Sequence, residues 1–125
     1  MKKLKLFFDI DDTITHWNND RDYENFKPDQ EMVSMINALY EEGHQITLFT
    51  ARGMNSCGPN RIAIDIIPAL IKNLDKIGLK YHELVTHKPS YDWLIDDKAM
   101  SPQDFKNHMT AGTFTTVKSY KPPKE

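Results

Sequence analysis

Phe7-Phe8-Asp9-Ile10-Asp11-Asp12-Thr13 decides how this chain is read. An apolar run from Leu4 to Phe8 stops at three carboxylates within four residues, followed by a threonine. Continuous apolar character over so short a length marks a buried strand. Carboxylates crowded at the end of such a strand repel one another and lose hydration. That arrangement persists where a cation, a phosphate or a proton makes use of it. Asp is also a common turn former, so the run alone is readable as a strand closed by an Asp-rich turn.

Three later segments repeat the pattern of an apolar run that stops at a reactive polar residue. Gln45-Ile46-Thr47-Leu48-Phe49 ends at Thr50, with Ala51-Arg52 next. Glu83-Leu84-Val85-Thr86-His87 runs into Lys88 and is stopped by Pro89. Tyr91-Asp92-Trp93-Leu94-Ile95 ends at Asp96-Asp97. Parallel strands of an open α/β sheet end on one edge, and ligands bind in the crevice outside those carboxyl ends. Asp9, Asp11, Thr50, Lys88 and the Asp96/Asp97 pair are therefore expected to converge from distant parts of the sequence.

This ordered set resembles the haloacid dehalogenase superfamily, whose commonest members are magnesium-dependent phosphohydrolases. Asp9-Ile10-Asp11-Asp12-Thr13 matches its first motif, Asp-x-Asp-x-Thr at a strand end. Thr50 matches the second, Lys88 the third, and Asp96 with Asp97 the acidic fourth. The likeness spans residues 4 to about 105; Asp12 departs from it, since many members carry Gly there. The resemblance implies a three-layer, Rossmann-like α/β fold with a parallel sheet and helices on both faces. It also implies that Asp9 attacks phosphorus to form an aspartyl phosphate and that Asp11 serves as general acid and base. Mg2+ is the implied cofactor, held by Asp9, the backbone carbonyl of Asp11 and either Asp96 or Asp97. Spacing does not choose between those two.

Elementary chemistry agrees with these roles. A carboxylate attacking a phosphate dianion meets like-charge repulsion, which a hard cation relieves, and oxygen donors favour magnesium over zinc. The Thr50 hydroxyl would donate to a phosphoryl oxygen, and Lys88 would set a compact positive charge against Asp9. Arg52 and Lys27 are the candidates to meet the anionic part of a substrate, Arg52 through its fork of donors. Both are also readable as solvated surface cations.

At 125 residues and a net charge of −2, the chain fits a single domain with no global pull toward nucleic acid or anionic membrane. No apolar run reaches the roughly 18 residues of a membrane span. The basic start, Met1-Lys2-Lys3-Leu4, leads straight into charged residues, unlike a signal peptide, and the lone Cys57 suits a reducing cytoplasm. The gaps between motifs leave no room for a cap domain. The expected organisation is a capless phosphatase domain over residues 1–112, then a possible edge strand and tail over 113–125. The site would be open, and a neighbouring copy in a homo-oligomer could cover it.

Helical spacing of Met32, Met35, Ile36 and Leu39 predicts a helix over residues 29–42, ended by Gly43. Ile62, Ile66 and Ile67, then Leu70, Ile71, Leu74 and Ile77, predict helical structure that Pro68 either kinks or restarts. Strands are expected over 81–85 and 92–95, and Ser101-Pro102 should cap a short helix. Residues 14–28 read as a flap whose Trp17, Tyr23 and Phe26 either anchor it or stack on a ligand.

Two other chemistries fit poorly. Cys57 to Arg61 leaves three residues between Cys and Arg, where a cysteine phosphatase needs five. The five histidines show no metal-binding spacing, and His87, next to Lys88, reads either as a border of the site or, more simply, as ordinary packing. Phe-Asp-Ile-Asp-Asp-Thr-Ile, Thr-Ala-Arg and Ile-Asp-Asp-Lys-Ala look like small bacterial phosphatases of capsular polysaccharide biosynthesis. That resemblance implies a phosphorylated sugar or nucleotide-sugar derivative as substrate. A polynucleotide end is the larger alternative, and no basic patch supports it. A phospho-accepting receiver module has similar parts, but its phosphorylated Asp ends a middle strand, where this chain has Thr50.

Overall fold

The computed structural model describes residues 3–16 and 27–114. Its element order is β1 (Lys5–Phe8), α1 (Gln30–Glu41), β2 (Gln45–Phe49), a single 3-10 turn (Pro59–Arg61), α2 (Ile62–Asp65), α3 (Ile67–Lys76), β3 (Glu83–Val85) and α4 (Pro102–Ala111). The chain divides into two compact units, Met1–Ser90 and Tyr91–Glu125.

The first unit is built on a three-stranded sheet in the order β1-β2-β3, with both pairings parallel. Phe8 sits level with Leu48, and Phe49 with Val85, so the strands finish together on one edge. Backbone pairing continues past the strands, with Thr50 N donating to Val85 O at 3.0 Å and Lys88 N to Thr50 O at 3.1 Å. This is an α/β arrangement around a parallel sheet. Ile46 and Leu48 are fully buried in β2, and Leu84 and Val85 half-buried in β3.

Helix α1 starts where Asp29 accepts a hydrogen bond from Met32 N, a side-chain cap worth about 1 kcal/mol. It buries Met32, Val33, Ile36 and Leu39 and packs against β2, each such side chain contributing roughly 1.5–3 kcal/mol. The chain leaves α1 through Gly43 at φ 95°, a conformation that suits glycine. Pro68 lies in the first turn of α3, so the helical run restarts there. Leu70 and Leu74 are its buried face.

In the second unit, Ser101 caps α4 by accepting from Asp104 N, and Phe105 meets Phe114 edge-on at 4.9 Å. The strand expected over Asp92–Ile95 does not form: residues 91–100 carry neither helix nor strand. Trp93 is 84% and Ile95 90% exposed. Strand propensity alone does not hold an extended segment; a ladder of partners does, and among the described residues of this unit there is none. The flap residues 17–26, the 115–117 part of the proposed edge strand and the tail lie outside the described residues. Among the described residues, no helix is long and apolar enough to cross a membrane.

Candidate functional site

The turn after β1 winds around one carbonyl. Ile10 O accepts from Thr13 N, Ile14 N and Thr15 N at 3.3, 2.9 and 3.1 Å. Ile10 and Ile14 are fully buried and peg this turn to the core. Asp12 adopts φ 63°, a left-handed conformation that Asp tolerates better than most residues. The wound turn therefore presents Asp9, Asp11 and Asp12 together at the sheet edge.

Asp9 follows β1 directly, and its Oδ1 accepts from Ile10 N at 2.9 Å. Lys88 Nζ stands 3.7 Å from the same oxygen and 5.6 Å from the centre of the Phe49 ring. Burial pushes the Asp9 carboxyl above its ordinary range, and the nearby Asp11 and Asp12 charges push the same way. Lys88, then the Ile10 N–H, pull against that rise without cancelling it. A carboxylate so placed is costly to keep ionised, the condition in which a cation or a phosphoryl group is welcome.

Thr50 is fully buried at the end of β2, and its Oγ1 accepts from Arg52 N at 3.0 Å. Filling one lone pair in this way leaves the hydroxyl proton as the group that Thr50 can donate. Arg52 is 3% exposed. Its Nη2 donates to Asp11 Oδ1 at 2.7 Å and its Nε to Asp11 Oδ2 at 3.3 Å, so its fork is closed on the second motif carboxylate. Lys27 is exposed, and its carbonyl accepts from His16 N at 3.0 Å.

Within the first unit, then, the fold brings Asp9 to Lys88 and Asp11 to Arg52, with Thr50 joined to the Arg52 backbone. Asp96 and Asp97 belong to the second unit. Asp96 is exposed and accepts from Lys98 N at 3.1 Å, and that bond, with a further one to Asp97, holds its carboxyl below the ordinary range. The oxygen donors of Asp9 and of the Asp11 carbonyl fit a magnesium ion in kind, being hard and anionic or strongly dipolar. Among the described residues, no group of three or more His, Cys, Asp or Glu side chains stands placed to hold a metal.

His87 matters more than its sequence position suggests. It adopts φ 67°, its Nε2 donates to Pro59 O at 2.9 Å, and its Nδ1 meets Thr86 Oγ1 at 2.8 Å. It thereby ties the turn that carries Lys88 to the loop after β2. The available signal was weak: His is enriched among residues with positive φ, but only a turn requirement reveals it.

Among solved structures, the chain is similar to the crystal structure of a structural-genomics target from Vibrio cholerae. The two are 30% identical over 82% of this chain and 87% of that one, with a TM-score of 0.78. No protein-family model matches the chain, and no curated protein does.

Proposed function

We propose that this chain, which belongs to the same family as the Vibrio cholerae protein, is a magnesium-dependent phosphomonoester hydrolase of haloacid dehalogenase type. In this reading the fold is a capless, three-layer Rossmann-like domain. The observation that carries it is the shared sheet edge, where Asp9 lies 3.7 Å from Lys88 and Asp11, Thr50 and Arg52 stand in one bonded set.

Asp9 is the nucleophile. One of its carboxylate oxygens bonds to phosphorus while the bond to the ester oxygen breaks, and the leaving oxygen takes the electron pair and a proton from Asp11. Water then attacks phosphorus and gives a proton to Asp11. The Asp9–phosphorus bond breaks with its electrons returning to the carboxylate, so the sum is ester plus water to alcohol plus phosphate. Lys88 balances the charge of Asp9 and of the transferring group, and Thr50 donates its hydroxyl proton to a phosphoryl oxygen. Asp9 and the Asp11 carbonyl would hold Mg2+, which supplies charge neutralisation for the phosphoryl oxygens. The exposed Lys27 is the candidate to meet the anionic remainder of the substrate.

The substrate class is a phosphorylated sugar or nucleotide-sugar derivative, in capsule or surface polysaccharide synthesis in the cytoplasm. Phosphate release from a panel of such compounds and from a generic aryl phosphate, with and without Mg2+, tests the reading. Asp9→Asn should remove the magnesium-dependent rate while leaving the circular dichroism spectrum unchanged. No release from any member of the panel, or activity of Asp9→Asn within tenfold of wild type, overturns it.

A further inference from the structure

We propose that Arg52 is a positioning residue for Asp11, holding the proton-transferring carboxylate in one orientation, and not an anchor for the substrate. This rests on the phosphatase reading above. Sequence alone sends the Arg52 fork toward a substrate anion; the geometry gives that fork another task. The side chain is 1% exposed, against 24% for Asp11, and it engages both carboxylate oxygens, at 2.7 and 3.3 Å. A carboxylate held at both oxygens has lost the rotation that would swing it away from a leaving group.

The arginine is itself held. Its N–H donates to Thr50 Oγ1 at 3.0 Å, which ties its backbone to the end of β2. Gly53 follows at φ 87°, where an added Cβ would stand 2.7 Å from Ile66 Cγ1, 3.1 Å from Ile62 Cγ1 and 3.3 Å from Cys57 Sγ. The chain is thus pinned on both sides of residue 52. Releasing the fork to a substrate would separate a nearly buried cation from its counter-charge, an outcome that the low dielectric of the interior disfavours. Side chains fixed by such supporting contacts are what keep an acid–base group in productive geometry, and misplacement of about 1 Å costs on the order of a hundredfold in rate.

Steady-state kinetics of the whole chain on an aryl phosphate with Mg2+ tests this. Arg52→Lys keeps the charge and loses the fork; kcat should fall about 10- to 100-fold with KM within about threefold of wild type. In an Asp11→Asn background the same change should cost less than about threefold, because no proton-transferring carboxylate remains to be positioned. A KM raised tenfold or more with kcat retained would make Arg52 a substrate anchor. An equal loss in both backgrounds would make its role merely structural. Asp11→Glu supplies a second arm should Arg52→Lys fail to fold: it moves the carboxylate by one methylene and should lower kcat at least tenfold, whereas an unchanged kcat overturns the proposal. A wild-type chain that releases no phosphate sinks the phosphatase reading and this inference together; an active wild type with an additive cycle sinks this inference alone.

Discussion

Replacing Lys88 with Met asks how strongly the sheet edge depends on one cation. At 3.7 Å from Asp9 Oδ1, the Lys88 ammonium attracts the carboxylate by about 1 kcal/mol in water-like surroundings and about 4.5 kcal/mol at an effective dielectric of about 20. The Asp9 side chain is 39% exposed and that of Lys88 12%, which places the pair toward the lower end, at about 1–2 kcal/mol. Lys88→Met should therefore destabilise the chain by about that amount at neutral pH, and by close to nothing when Asp9 is already Asn. The sign with pH follows from Asp9, whose carboxyl is raised chiefly by burial and lowered by Lys88. A raised acid favours the protonated folded form, so the ionised carboxylate opposes folding above its titration and ceases to do so below the unfolded value of 3.8. Loss of Lys88 enlarges that opposition. The deficit of Lys88→Met should be full at pH 7 and shrink as pH falls through the carboxylate range. Urea denaturation of the wild type, both single variants and the double variant, from neutral to acid pH, measures each quantity. A coupling below about 0.3 kcal/mol, or a deficit that does not change with pH, refutes the reasoning.

Other changes probe the chemistry and the frame. Asp11→Asn should slow turnover by about 100-fold or more and let phosphorylated Asp9 accumulate, seen as an added phosphoryl mass on the intact protein. Gly53→Ala should cost about 2–4 kcal/mol, combining a left-handed backbone with a Cβ only 2.7 Å from Ile66 Cγ1, and Ile66→Ala should restore part of that loss in thermal denaturation.

Much of the frame was legible because it is local. The apolar runs gave β1 and β2, the spacing of Met32, Ile36 and Leu39 gave α1, and Ser101 with Pro102 gave the start of α4. The choice at Pro68 needed the structure, since a proline inside a helical stripe is consistent with both a kink and a fresh start. Asp92–Ile95 misled because alternating aromatic and aliphatic residues report a preference for extended backbone, while a ladder partner decides whether it forms. The pairing of Arg52 with Asp11, 41 residues apart, was illegible for another reason. Sequence shows that both groups reach the same edge, but their mutual orientation depends on the backbone conformations of Asp12 and Gly53. The partner of His87 was illegible for the same cause: its bond to Pro59 O spans 28 residues and goes with a left-handed turn at 87.

That last bond clasps the edge from outside the sheet. His87 is covalently next to Lys88, and its imidazole grips a carbonyl of the loop that leads into α2. The turn that sets the ammonium beside Asp9 is thus fastened twice, through Lys88 N to Thr50 O and through the neighbouring ring to Pro59 O. Two ties leave residues 86–88 fewer arrangements than an untethered turn has, so little ordering is left to do when an anion arrives.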